Sequence, residues 1–187
     1  TMISHSFTEY SDGIQFSGKA TAAAFDLPPN PLTEATKTQA QGTVSGYTSG
    51  GGTPASTNTI DKFASASDAN ATDVGKLTVA RKKLGGASSG VSGYSMGGVS
   101  PPWRNQIDKF PFAADGNATD VGNLTVPRGY IYAGQSSTVS GYNSGGQTDS
   151  STFLDVIDKF SFAADGNATD VGDLTLTRSG AGGQSSD

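Results

Sequence analysis

The segment Ile107–Arg128 reads IDKFPFAADGNATDVGNLTVPR, and close copies of it occur at residues 60–81 and 157–178. Each copy starts with Ile-Asp-Lys-Phe, continues through Asp-Val-Gly and ends with Leu-Thr-x-x-Arg. The distance from the first Ile to the last Arg is constant, so we interpret this segment as the structural frame of a repeat. Successive copies are 47 and then 50 residues apart. Such periods are typical of repeat architectures, in which each unit buries its surface against its neighbours.

A Gly-Tyr-x-x-Gly-Gly element precedes each copy, and its distance to the following Ile varies between repeats. The variable connections are therefore predicted to be exposed loops, at residues 52–59, 99–106 and 147–156. This pattern divides the chain into an N-terminal arm with a linker, residues 1–41, and three repeats. The repeats span about residues 42–88, 89–136 and 137–187.

Each repeat is predicted to consist of short strands. Leu-Thr-Val-x-Arg alternates apolar and polar residues, as a half-buried strand does. Ile-Asp-Lys-Phe and Val-Ser-Gly-Tyr suit two further strands, because β-branched and aromatic residues favour them. The Ser-rich stretch before the Gly-Tyr element, such as Gly134–Ser137, is expected to add a fourth strand. These patterns predict an all-β fold.

The motifs resemble those of known repeat families. The Gly-Gly pair, the Ile-Asp element and the Leu-Thr-x-x-Arg strand are similar to the kelch blade. The fuller wording of residues 107–122 resembles tandem repeats in structural proteins of marine tailed phages, cyanophages especially. The resemblance covers about residues 42–187 and implies blades of a propeller, or three sheets of a prism. It also implies a virion structural protein, of the fibre, spike or capsid-decoration type, on the virion surface.

Three blades leave two outer faces uncovered, because each blade of a propeller packs on two neighbours. We therefore expect oligomerisation to complete the fold, as a homo-oligomer. The expected role is assembly or host adhesion, with other virion proteins and a host-surface glycan as partners. The alternative is a carbohydrate-binding, lectin-like β-propeller module.

The composition limits the core and the partners. Gly, Ser and Thr supply 71 of the 187 residues, whereas Leu, Ile, Val and Phe supply 33. The net charge is −5 and no basic stripe is present, which argues against nucleic acid as a partner. No apolar run reaches the roughly 18 residues of a membrane span, so no membrane partner is expected. The chain has no cysteine, which excludes disulfides and thiolate metal sites.

Arginine recurs at one position of each repeat. Arg81, Arg128 and Arg178 are three of the four arginines in the chain, and each ends an equivalent segment. A planar guanidinium binds carboxylates in a fixed geometry, so we interpret the three residues as structural clamps. The expected acceptors are Asp61, Asp108 and Asp158, or else Asp73, Asp120 and Asp170.

The Asp-rich loop of each repeat has two interpretations. Asp115, Asn117 and Asp120 place side-chain oxygens as a calcium loop would, but a final bidentate Glu is lacking. The same residues also favour a turn, since Asp and Asn bond to their own backbone. We favour the turn and expect no cofactor.

Aromatic residues are candidates for ligand contact. One tyrosine occurs at the same position of each repeat, as Tyr47, Tyr94 and Tyr142. These tyrosines are interpreted either as buried residues beside Gly-Gly or as a stacking platform for sugars. Trp103 and Arg104 belong to no repeat and follow two prolines in a variable loop. They are expected to contact a receptor, a glycan or a virion protein, or to pack over a neighbouring blade.

Catalysis finds no support in the residue pattern. The one histidine, His5, lies in the arm, and carboxylates that recur in every repeat suggest a scaffold. We expect no enzymatic activity.

The arm shares no motif with the repeats. Residues 3–16 are expected to form a strand pair with Asp12-Gly13 as its turn. The Pro-rich stretch 28–31 then suits a semi-rigid connector. We expect residues 1–31 to dock on the virion, or alternatively to complete the first blade with a strand.

Overall fold

The computed structural model describes residues 8–10, 13–15 and 44–186. The chain divides into two compact units, Thr1–Lys37 and Thr38–Asp187. In the first unit, β1 (Thr8–Tyr10) pairs antiparallel with β2 (Gly13–Gln15). A hairpin is therefore present where one was expected, although Gly13 begins its second strand. The expectations for residues 1–7 and 16–43 lie outside the described residues.

The described part of the second unit, residues 44–186, contains strands and no helix, which confirms the all-β prediction there. None of the described residues forms a helix that could cross a membrane. Each repeat builds one open antiparallel sheet of three or four strands. The first sheet consists of β3 (Ser45–Ser49), β6 (Thr59–Ala64) and β7 (Thr72–Lys76), with a small hairpin of β4 (Gly52–Thr53) and β5 (Ala55–Ser56) in its loop.

The second and third sheets have four strands each, in chain order. The second consists of β8 (Gly85–Ser88), β9 (Ser92–Met96), β10 (Gln106–Pro111) and β11 (Thr119–Asn123). The third consists of β12 (Gly134–Ser136), β13 (Ser140–Ser144), β14 (Val156–Ser161) and β15 (Thr169–Asp173). The expected Ser-rich fourth strand is therefore present as β8 and β12. Each joins the sheet that follows it, so the sheets begin before residues 89 and 137.

The strand predicted at Leu-Thr-x-x-Arg is wrong. Residues 77–81, 124–128 and 174–178 contain no strand, and the last strand of each sheet is instead Thr-Asp-Val-Gly-x. The alternation of apolar and polar residues in this segment has another cause in the first two repeats. The Leu and the Arg are both buried there, while the Thr directly after the Leu is exposed. The backbone N–H of that Thr donates to a carboxylate of the next sheet, and a ladder hydrogen bond is thereby lost.

Asp-Val-Gly forms a β-bulge in every sheet. In the first sheet, Ile60 pairs with Gly75 and Asp61 with Asp73, so Val74 is the extra residue. The Asp73 carboxylate accepts a hydrogen bond from the Gly75 backbone N–H at 3.3 Å, and the other two sheets repeat this bond. A bulge re-aims the side chain of its extra residue. Val74 accordingly packs into the core between the first two sheets.

The core lies between consecutive sheets, because the two faces of each Ile-Asp-Lys-Phe strand point to different neighbours. Ile and Lys face the following sheet, whereas Asp and Phe face the preceding one. One apolar cluster joins Ile60 and Leu77 of the first sheet to Phe110 of the second. A second cluster joins Ile107 and Leu124 of the second sheet, with others, to Phe160 of the third. Both core clusters of residues 44–186 therefore combine side chains of two repeats.

Glycine at the bulge permits a close approach between sheets. A Cβ added at Gly122 would overlap the carbonyl oxygen of Gly166 in the Asp-rich loop of the third repeat, whereas one added at Gly172 would meet nothing within 4 Å. The two glycines have similar φ angles, +159° and +150°, so the backbone cost of alanine is similar at both. We expect Gly122→Ala to lower the free energy of unfolding by about 1–3 kcal/mol more than Gly172→Ala, because only the former overpacks the interface. Equal losses in urea denaturation would contradict the contact.

Candidate functional site

A buried ion pair joins the first sheet to the second. The Nη1 atom of Arg81 lies 3.0 Å from Oδ2 of Asp108, and both side chains are fully buried. The Nη2 atom of Arg81 also donates to the backbone carbonyl of Ser95 at 3.0 Å. Thr78 completes the site, since its backbone N–H donates to Oδ2 of Asp108 at 2.9 Å and its hydroxyl to Oδ1 at 2.7 Å. We call this arrangement the clamp.

The same clamp joins the second sheet to the third. Arg128 Nη1 lies 3.0 Å from Oδ2 of Asp158, again with both side chains fully buried. The backbone N–H and the hydroxyl of Thr125 donate to the two carboxylate oxygens at 2.9 and 2.7 Å. Asn143 replaces the serine of the first clamp, and both its backbone and side-chain oxygens accept from Arg128 Nη2 at 3.3 Å.

The arginine of one repeat therefore holds the aspartate of the next. Of the two acceptor sets considered from the sequence, Asp108 and Asp158 bind the guanidinium groups, while Asp73, Asp120 and Asp170 hold the bulges. Two of the repeated clamp residues are not part of a clamp. Asp61 in the first sheet is half-buried and Arg178 in the third is exposed, and neither forms an ion pair with any residue of 44–186.

Burial makes the arginines depend on their aspartates. Desolvation lowers the pKa of the Arg81 guanidinium, and the charge and hydrogen bond of Asp108 oppose this effect. Desolvation lowers the pKa of Arg128 in the same way, and Asp158 opposes it. A buried cation without its partner is costly. The arginine and the aspartate of a clamp therefore stabilise the interface only when both are present.

The Asp-rich loops belong to the same interfaces. Lys62 of the first sheet forms an ion pair with Asp115 at 3.0 Å, and Lys109 of the second with Asp165 at 2.9 Å. The hydrogen bond from each lysine to its aspartate raises the pKa of the lysine. Both pairs are partly solvent-exposed, and pairs of this kind contribute little to stability.

In the Asp-rich loop of the second repeat, each of the three candidate calcium ligands contacts a different part of the protein. Asp115 binds Lys62, and Asn117 Oδ1 accepts from the Lys76 backbone N–H at 2.9 Å. Asp120 accepts from Gly122 and from the Gln106 side chain. The three side chains thus serve three separate protein partners. Among the described residues, no group of three His, Cys, Asp or Glu is placed to hold a metal ion.

Two of the repeated tyrosines lie between sheets. Tyr47 stacks on Phe112 of the second sheet with ring centroids 4.8 Å apart, and Tyr94 stacks on Phe162 of the third at 5.0 Å. Tyr142 occupies the equivalent place on the third sheet, where Lys159 Nζ lies 5.9 Å from its ring centroid. The geometry assigns Tyr47 and Tyr94 to packing, since a neighbouring ring already covers each of them.

Trp103 packs over the beginning of the next repeat. The centroid of its half-buried ring lies 6.0 Å from that of Tyr130, and Lys83 Nζ lies 3.8 Å from the Tyr130 centroid and donates to the Tyr130 hydroxyl. Arg104 is half-buried, and its backbone N–H donates to the Gly98 carbonyl at 3.0 Å. These residues form an aromatic and cationic group beside the second clamp, since the backbone N–H of Arg128 donates to the Arg104 carbonyl at 3.0 Å.

Sequence reasoning missed the threonine of the clamp and the second phenylalanine of the interface. Thr78 and Thr125 each lie three residues before the repeated arginine, so their repetition was a signal, but the strand predicted for this segment concealed their role. Phe112 and Phe162 are repeated only in the second and third copies; the first has Ser65 there. That difference fits the structure, because each ring packs on the preceding repeat.

Comparison with known proteins adds no assignment to this geometry. No family model matches the chain, and no curated protein is similar to it.

Proposed function

We propose that this chain is a structural protein of a tailed-phage virion, a fibre, spike or capsid decoration that forms a repeat scaffold for assembly or host adhesion. The observation that carries the proposal is the use of the repeated residues. At both interfaces between repeats, a buried Arg–Asp pair, the Thr that donates to its carboxylate, and the Tyr and Phe beside them join one repeat to the next. Residues so engaged build a modular body of stacked repeats, as in other repeat proteins.

Because the repeats resemble those of phage structural proteins, the proposed location of this scaffold is the virion surface, outside the cell. In the proposed arrangement the three sheets are blades of a propeller or faces of a prism, which oligomerisation completes. The loops that vary between repeats, at residues 52–59, 99–106 and 147–156, then supply the variable surface. Residues 1–31 act as the attachment to other virion proteins.

The proposal predicts that the chain co-purifies with particles. In a tailed phage whose genome encodes this chain, we expect mass spectrometry of gradient-purified particles to detect it at a constant ratio to the major capsid protein. A variant lacking residues 2–31 should keep its β-sheet circular dichroism but be lost from the particles. Recovery of the full chain only in the soluble lysate fraction would contradict the virion assignment. Misfolding of the deletion variant would instead assign the arm to the first blade.

The group at Trp103 favours one second candidate, a carbohydrate-binding module. An aromatic ring beside a cation and a second ring is a surface on which sugars stack. A glycan array separates the candidates, with Trp103→Ala as the control variant. Selective glycan binding that disappears in Trp103→Ala would support the lectin-like role. If the wild-type chain binds no glycan selectively, the scaffold is the sole proposal.

A further inference from the structure

The two end sheets carry complementary halves of the clamp. Arg178 and Thr175 of the third repeat correspond to Arg128 and Thr125, which bind Asp158 of the next repeat. Asp61 on the first sheet corresponds to Asp108 and faces away from the second sheet. One end of the array thus presents an arginine with its threonine, and the other presents the aspartate that this pair binds elsewhere in the chain.

The apolar contacts at the two ends also match. Phe63 is 42% exposed, although its equivalents Phe110 and Phe160 are only 5% and 4% exposed. At the other end, Tyr142, Ile157 and Leu174 line an open hollow on the third sheet. The corresponding residues of the first sheet, Tyr47, Ile60 and Leu77, are those that surround Phe110 in the first interface.

The remaining charges agree with this pairing. Lys159 on the third sheet is equivalent to Lys62 and Lys109, which bind the aspartates of the following loop. Asp68 on the first sheet is equivalent to those aspartates, and it is exposed. The last surface (Tyr142, Ile157, Lys159, Leu174, Arg178) therefore carries positive charge. The first surface (Asp61, Phe63, Asp68) carries negative charge, so unlike surfaces attract and like surfaces repel.

We propose that copies of this chain associate head to tail, the last surface of one copy binding the first surface of the next. Arg178 and Thr175 of one copy bind Asp61 of its neighbour, and Phe63 enters the hollow between Tyr142 and Leu174. Such a heterologous contact extends into a filament, or into a ring where the rotation between copies closes. The inference goes beyond the virion proposal and does not depend on it, since it rests on the two interfaces within the chain.

The contact between copies is weaker than the contact between repeats. Ser65 occupies the position of Phe112 and Phe162, so the stacked ring on Tyr142 is missing from the first surface. Association is therefore reversible and rises with concentration.

Sedimentation velocity of the full chain over a concentration series tests the proposal, together with two variants that each disable one surface. We expect wild-type protein to grow beyond the single-chain mass of 18.9 kDa as the concentration rises. Asp61→Lys and Arg178→Glu should each stay monomeric, because each places like charges at the contact. An equal mixture of the two also brings Arg178 of the first variant to the intact Asp61 of the second. At the other contact the introduced glutamate of the second variant meets the introduced lysine of the first, which are again unlike charges. The mixture should therefore regain association and grow beyond the single-chain mass.

The matched control is Asp149→Lys, which makes the same charge change in an exposed loop and should associate as the wild type does. Circular dichroism and a melting curve establish that each variant is folded. Wild-type protein that keeps the single-chain mass at every concentration overturns the proposal, as does unchanged association of both variants.

Crosslinking supplies an independent readout. The chain has no cysteine, so Asp68→Cys and Lys159→Cys each introduce a single thiol. A short bis-maleimide should link a mixture of the two variants into heterodimers, because the equivalent side chains lie 2.9–3.0 Å apart within the chain. Mixing Asp68→Cys with Asp149→Cys is the control. Equal yields in both mixtures would contradict the pairing.

Discussion

Replacing Asp158 with alanine should lower the free energy of unfolding by about 3–5 kcal/mol, because it leaves the buried Arg128 cation without its carboxylate. Both side chains are fully buried, and burial already lowers the pKa of Arg128. The substitution also removes the acceptor of the Thr125 N–H and hydroxyl. Urea denaturation of the purified chain measures the loss from the change in midpoint at constant slope.

The chain contains its own control for this prediction. Asp61 occupies the same position in the first sheet, but no residue of 44–186 pairs with it as Arg128 pairs with Asp158. Asp61→Ala should therefore change stability by about 0.5 kcal/mol or less in dilute solution, where copies do not associate. Similar losses for the two variants would show that the aspartate stabilises its own sheet and not the interface.

Phe160→Ala should cost about 3–5 kcal/mol, in the range of large aromatic truncations in protein cores. The ring lies over Gly141 of its own sheet and packs against Tyr94 of the preceding one, with ring centroids 5.2 Å apart. Its removal opens a cavity between two sheets, in a core that contains few large apolar residues. Thermal and urea unfolding should both report the loss.

Phe63→Ala is the matched variant, since Phe63 lies over Gly46 in the same way but lacks a preceding sheet among the described residues. Its greater exposure predicts a clearly smaller loss than that of Phe160→Ala. A loss as large as that of Phe160→Ala would mean that the ring acts within its own sheet. The interface would then not be the main site of apolar burial.

The strands at Ile-Asp-Lys-Phe and Ser-Gly-Tyr were predictable, because both patterns are short, β-favouring and repeated three times. The segment at Leu77–Arg81 misled because two buried residues, Leu77 and Arg81, reproduce the alternation of a strand. What distinguishes it is the Thr78 N–H, which bonds to another sheet. A contact of that kind leaves no periodicity in the sequence.

The acceptor set of the clamp was among those predicted, but which of these aspartates each arginine binds was not. Asp108 and Asp158 both lie in an Ile-Asp-Lys-Phe segment, so a repeat pattern cannot tell whether Arg128 binds the aspartate of its own repeat or of the next. Only the stacking of sheets decides this. The same applies to Tyr47 and Tyr94, whose packing partners lie in the following sheet.

The central claim is that each arginine holds the aspartate of the following repeat, and a double-mutant cycle tests it directly. We expect Arg128→Met and Asp158→Asn to show a coupling free energy of about 1.5–3 kcal/mol, within the range of residues in one buried network. Arg128→Met and Asp108→Asn, which lie in the same repeat but in different clamps, should be additive within about 0.5 kcal/mol. Strong coupling of Arg128 to Asp108, or none to Asp158, would contradict the account.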